Sequence, residues 1–143
     1  MEYVVAIICD WEKKKVNVSV VEFKGSDESL DQCNELIGCD RVDYIEITLD
    51  NDKYDLWCDD EFLLKQEENP GLAWFDQSAN AKDPVVILGN AVIAKSNDEG
   101  ETIGMTYEEA SFVAMKYTEY MSENGPKFIN WLKKVRAERE AEV

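Results

Sequence analysis

Five aspartates and a glutamate crowd the stretch LDNDKYDLWCDDE, from Leu49 to Glu61, around Tyr54, Leu56 and Trp57, three residues suited to a core. Carboxylates at that density can ligate a cation, work as an acid–base pair, or present negative charge to a basic partner. Calcium fits poorly. Asp50, Asp52 and Tyr54 take the first three ligand positions of an EF-hand-like loop, but the third needs an oxygen donor smaller than a phenol, and no glycine follows. A dyad of the glycosidase kind needs one pair set apart from the rest, and here the acids are too numerous for any pair to stand out. The third chemistry remains: Asp50, Asp52, Asp55, Asp59, Asp60 and Glu61 as a surface that imitates a phosphate backbone. An extended strand exposes every second side chain at about 6.6 Å, comparable to phosphate spacing along a single strand. The competing reading is a solvated face that keeps the protein soluble.

Other reactive groups are sparse. The chain has no histidine, which excludes Ser-His-Asp and Cys-His nucleophile systems. Neither GxxxxGK[ST] nor GxGxxG occurs. Cys9, Cys33, Cys39 and Cys58 form no CxxC pair, so zinc would depend on irregularly spaced sulfurs alone; they are read as reduced and mostly packed. Catalysis is therefore not expected, and neither is a metal or cofactor. A carboxylate-and-metal enzyme is kept as the least favoured alternative. A different site is conceivable in the segment from Gln66 to Asp83, where Trp74 and Phe75 would stack on a base with Asn80 and Lys82 as polar contacts. That arrangement would make the protein a sponge for a small, even cyclic, nucleotide. Adjacent aromatics in a long loop more often pin it to the core.

Charge is distributed unevenly. The formal net charge is −16, and residues 25–68 hold fifteen acids against three bases. Residues 127–143 reverse the sign, with five bases against three acids. A surface of this sign repels free nucleic acid, so no direct nucleic-acid partner is expected. With 45% hydrophobic residues the charge belongs to the surface of a folded domain and not to a disordered tail. The apolar run from Tyr3 to Cys9 is too short for a membrane span and lacks the basic flank of a signal peptide; a cytoplasmic protein is expected.

The elements that must position these residues follow from periodicity. EYVVAIICD and KKVNVSVVEF form an opening hairpin, with Val16, Val18 and Val20 alternating. SDESLDQCNELIG predicts a short helix with Leu30, Cys33, Leu36 and Ile37 on one stripe, capped by Ser26 or Asp27 and ended by Gly38. VDYIEITL and YDLWC make a second hairpin, turning at Asp50-Asn51-Asp52, with the acids at its tip and far exit. PVVILGNAVIAK predicts a strand that bulges or turns at Gly89-Asn90. Thr106 and Glu109 form a capping box before a helix bearing Ala110, Val113, Ala114, Tyr117 and Met121. Asn124-Gly125-Pro126 is expected to stop it and start another, with Phe128, Trp131, Leu132 and Val135 on one face. That last helix closes the core or pairs with a second protomer as a homo-oligomer. The expectation is a single α+β domain over residues 1–143: an antiparallel or mixed sheet of about five to six strands, a short early helix, and two C-terminal helices on one face.

SLDQCNELIGCDRVDYIEITLDNDKYDLWCDDEFLL, DPVVILGNAVIAK and MTYEEASFV together resemble the phage- and mobile-element-borne family of domain of unknown function 3846. Leu30, Leu36, Ile37, Gly38, Tyr44, Ile45 and Glu46 match its helix and YIE strand, and Asp83, Val85, Val86, Leu88, Gly89 and Ala91 its IVG-type strand. The resemblance covers a core of about residues 16–115, leaving about 126–140 as a helical extension. The long loop departs from the family's pattern by lacking arginine. The family carries no established activity, but the resemblance implies a phage or plasmid context, where small acidic proteins block host defences. On that basis the expected role is counter-defence in the host cytoplasm. The acidic hairpin would sequester a basic host immune component, and the nucleotide sponge is the alternative.

Overall fold

The computed structural model describes residues 1–10, 12–13, 15–61, 71–77 and 84–141. Strand β1 (Tyr3–Asp10) pairs with β2 (Lys15–Glu22), and β3 (Val42–Leu49) with β4 (Asp52–Asp59), as the two expected hairpins. Between them in space lies β7 (Ala91–Ser96), which joins β1 on one side and β4 on the other. The resulting order is β2-β1-β7-β4-β3, with the two-residue β8 (Thr102–Ile103) added at the end of β7. The described pairings are antiparallel, so the sheet is not mixed.

The sheet is covered on both faces, which explains its sequence patterns. Val5, Ile7, Leu56 and Ile93 pack towards the long helix α2 (Tyr107–Ala141), while Val4, Trp57, Val92 and Ala94 pack towards the short helix α1 (Ser29–Ile37). A strand buried on both faces has no polar side to show, hence the continuous apolar run of β1. The edge strand β2 keeps its alternation, although Val16 at its far end is exposed. In β3, Ile45, Ile47 and Leu49 belong to the α2 side and Val42 to the α1 side, so the uneven pattern there is two faces read as one.

Several expectations need correction. The C-terminal region is one helix of 35 residues and not two, running through Pro126. Proline removes one backbone donor, but Phe128 and Trp131 beyond it pack on Phe75 at 5.5 and 6.1 Å between ring centres, and this contact carries the helix on. Asn124 is buried, its side-chain amide donating to the Tyr120 carbonyl at 2.8 Å, so it serves the helix where a stop was expected. The segment from Gln66 to Asp83 is not wholly irregular, because β5 (Leu72–Asp76) lies within it and pairs with β6 (Val85–Leu88) as a separate two-stranded sheet. PVVILGNAVIAK does turn at Gly89-Asn90, one of the two expected outcomes, with Gly89 at φ 95°, and its two halves are strands of two different sheets. Asn90 fixes the turn by accepting from the Cys9 amide at 2.7 Å and donating to the Ile37 carbonyl at 3.0 Å.

Helix α1 is preceded by a 3-10 turn, Ser26–Glu28, and neither Ser26 nor Asp27 caps it. The Ser26 hydroxyl donates instead to the Thr102 carbonyl at 2.7 Å. The buried positions are Ser29, Gln32, Cys33 and Ile37, while Leu30 is 57% exposed, so the helix is rotated from the expected stripe. Gln32 explains the rotation: its amide accepts from the Lys24 N–H at 3.0 Å and donates to the Glu22 carbonyl at 2.8 Å, satisfying the backbone where β2 ends. Gly38 ends the helix in the left-handed conformation, as expected.

Candidate acidic interface

The second hairpin closes through a two-residue turn, since Leu49 pairs with Asp52. Asp50 and Asn51 have φ of 52° and 70°, the left-handed pair that a tight hairpin turn demands, and Asp and Asn are among the non-glycine residues that tolerate it best. Asp50 and Asp52 are exposed at this tip. Tyr54 points into the core under the Lys95 ammonium, 5.9 Å from its ring centre, so these three residues do not form a calcium loop.

Along the strand the acids separate into different environments. Asp55 is 7% exposed and accepts a hydrogen bond from the Ser96 hydroxyl at 2.8 Å, tying β4 to β7. Asp59 is 8% exposed and accepts from the Glu61 amide at 2.9 Å, closing the exit of the strand. Asp60 and Glu61 are exposed beyond it, with Asp60 3.7 Å from the Arg41 guanidinium. From Asp52 to Asp59 the rise is about 23 Å. The six predicted residues are thus a tip pair, an exit pair and two buried acids that hold the hairpin's geometry.

Each exposed pair sits beside a shallow cleft. At the tip, Asp50 shares one of about 160 Å³ with Thr48, Leu49 and the α2 residues Lys116, Glu119, Tyr120 and Glu123. At the exit, Asp43, Asp59 and Asp60 surround one of about 140 Å³ that reaches Cys58. Burial, then the charges of Asp43 and Asp59, pushes the Cys58 thiol up to about 12, so it is not a thiolate at neutral pH. Among the described residues no cluster of three or more acids or cysteines has the arrangement of a metal site.

The structure adds acids that the hairpin-centred reading omitted. Asp27 and Glu28 on the 3-10 turn, Asp31 and Glu35 on α1, and Asp40 after it are all exposed. Glu46 of β3 is exposed as well and lies on the sheet face that carries α1, being paired in register with Asp55. The signal for these residues was in the segment charge, but only the packing of α1 through Cys33 and Ile37 turns its acids outward.

Of the alternative nucleotide-binding set, the two aromatic residues lie in the core. Trp74 is 2% exposed and lies flat against Tyr120, with ring centres 4.3 Å apart and planes 5° from parallel. Phe75 is fully buried against Phe128 and Trp131. Both are core residues with no face open to a base. Asn80 and Lys82 lie outside the described residues. Two tyrosine hydroxyls of α2 finish the edge of β5: Tyr117 donates to the Ala73 carbonyl at 2.7 Å and Tyr120 to the Phe75 carbonyl at 3.0 Å. This covers a sheet edge with a helix where another strand would otherwise be needed.

No helix among the described residues is long and apolar enough to cross a membrane. A family model described as domain of unknown function (DUF3846) matches residues 5–122, a longer span than the motifs alone delimit. No curated protein and no solved structure matches the chain.

Proposed function

We propose, from the premise that this chain belongs to the DUF3846 family, that it is a non-catalytic binding protein whose acidic face occupies a basic, nucleic-acid-binding surface of a host protein. In the phage or mobile-element setting that the family resemblance implies, the effect is to hold a component of host immunity out of action. The observation that carries this reading is the common exposure of carboxylates on α1, its preceding turn and the second hairpin, from Asp27 to Glu61. Local cations offset them only in part: Lys24, Arg41 and Lys53 each make an exposed ion pair, at 3.8, 3.7 and 3.5 Å. Exposed pairs of this kind are worth about 0–1 kcal/mol and leave the net field negative. Such a field steers a basic partner into contact and repels nucleic acid from the same surface. Asp55 and Asp59 are not contact residues in this reading; they brace the strand that presents the others.

The test uses the immobilised protein and a host lysate, with bound proteins eluted in rising salt. A retained protein that leaves at raised salt, is displaced by duplex DNA, and is not retained by an Asp50→Lys, Asp52→Lys, Asp60→Lys variant supports the proposal. Retention indifferent to both DNA and charge reversal, or none above background, overturns it.

A further inference from the structure

Helix α2 has a second face that the fold does not use. At 35 residues it is about 52 Å long, roughly twice the length of the eight-residue strands it crosses. Its outward side carries Phe112, Met115 and Ile129, exposed by 38%, 49% and 53%. These residues share a stripe that advances in steps of three and four through Ser122 and Pro126 to Lys133, the repeat of a helix-pairing surface. Small residues occupy its middle. A side chain added at Gly125 would meet nothing within 4 Å, so this chain's own packing does not call for glycine there. Mid-helix glycine is destabilising relative to alanine, which leaves close approach from outside as a reason for it.

The charge along the helix names the occupant. Its first half carries Glu108, Glu109, Glu119 and Glu123 against Lys116, and its second half Lys127, Lys133, Lys134, Arg136 and Arg139 against Glu138 and Glu140. The segment complements itself only when reversed. We infer that the outer face of α2 docks on the same face of a second copy of this chain, antiparallel and about a two-fold axis near Ser122. In that arrangement Met115 of each copy meets Ile129 of the other, Phe112 lies near Leu132, and Glu108 comes beside Lys133 and Arg136. A parallel pair would set acid against acid. The overall charge of −16 opposes self-association, and the basic second half is the local exception that makes this one geometry favourable.

Sedimentation equilibrium on the full chain tests the proposal, together with circular dichroism on each variant. The wild-type protein should approach twice the chain mass of 16.4 kDa as concentration rises. Met115→Asp and Ile129→Asp change exposed residues, so each should leave the thermal melt of the monomer in place while weakening association about tenfold or more, as a charge buried at an interface centre does. Lys133→Glu with Arg136→Glu should also weaken it, and adding Glu108→Lys to that variant should restore it. Gly125→Ala should strengthen the helix yet weaken the dimer. Orientation is read by mixing Met115→Cys and Ile129→Cys chains under mild oxidation, where the mixed pair should cross-link faster than either alone. A chain that stays monomeric up to its solubility limit overturns the inference. So does a dimer that ignores the Asp substitutions.

Discussion

The face of the central sheet under α2 and the face under α1 are built from the same strands, yet they use their residues differently. Under α2, Ile7, Leu56 and Ile93 of the sheet are almost wholly buried, and Trp74 of β5 and Tyr117 of α2 itself complete that cluster. There even the polar groups serve the interior, the Tyr117 and Tyr120 hydroxyls ending on the carbonyls of β5. Under α1, a smaller cluster of Val4, Cys33, Ile37, Trp57 and Val92 is enough to seat the helix, and the periphery is given over to carboxylates. Fold stability is therefore concentrated on one side, and the other is left free to carry charge. A surface surplus in acids is tolerated where little else depends on it.

Substitutions can break that contrast, beginning with the largest expected effect. Trp74→Ala or Phe75→Ala should cost about 3–5 kcal/mol in urea denaturation, the loss expected for a large core aromatic; a cost below about 1 kcal/mol would mean that the α2 side is not the stabilising one. Asp55→Ala should cost about 1.5–3 kcal/mol, since it leaves the Ser96 hydroxyl without its charged acceptor, while Asp52→Ala at the exposed tip should change stability by less than about 0.5 kcal/mol. Equal effects at the two aspartates would erase the distinction between bracing and displayed acids. Tyr117→Phe should cost about 1–2 kcal/mol by stranding the buried Ala73 carbonyl.

Alkaline pH sharpens the same comparison from the titrating side. Burial lifts Cys9 from 9.0 to about 11, and burial followed by the Asp76 charge lifts the Tyr120 phenol from 10.0 to about 12. The folded chain thus keeps protons that the unfolded chain has released, so the stability present below pH 9.0 falls as pH rises from there towards about 12. Denaturation midpoints measured across that window should decline, and Tyr120→Phe should flatten the upper part of the decline. The smallest effect belongs to the acidic face. Added salt should raise the melting temperature slightly by screening its repulsion, and Asp50→Lys with Asp52→Lys should make the rise smaller.

The readable parts of the fold were those governed by local pattern. The two hairpins, the helix ended by Gly38, and the Ala110-Val113-Tyr117 stripe each depend on residues close in sequence. The capping box is half present: Thr106 accepts from the Glu109 amide at 3.1 Å, but the Glu109 carboxylate turns to Lys95 at 2.8 Å. What local pattern missed was decided by distant contacts. Pro126 stays inside a helix because Phe75, some fifty residues earlier, holds the far half in place. Strand β5 was hidden because its hydrogen-bonding partners are β6 on one edge and tyrosine side chains on the other. For the candidate site, the amount of charge was legible but its division was not. Asp55 and Asp59 are buried on one face of a strand whose other face holds Tyr54, Leu56 and Cys58, and seeing this requires knowing that β7 flanks the strand and that α1 and α2 cover its two faces.

The position of β7 sets the order in which the molecule can be assembled during synthesis. Both hairpins leave the ribosome before the strand that unites them, so at about 5–20 residues per second they wait on the order of seconds with a bare edge each. On the second hairpin that edge is β4, and the acids spaced along it, Asp52, Asp55 and Asp59, oppose pairing with any other strand that carries like charge. A nascent chain so protected has less tendency to aggregate before Ala91–Ser96 arrives. Two of these carboxylates, Asp55 and Asp59, later brace the finished sheet, having first acted as guards on an unfinished one.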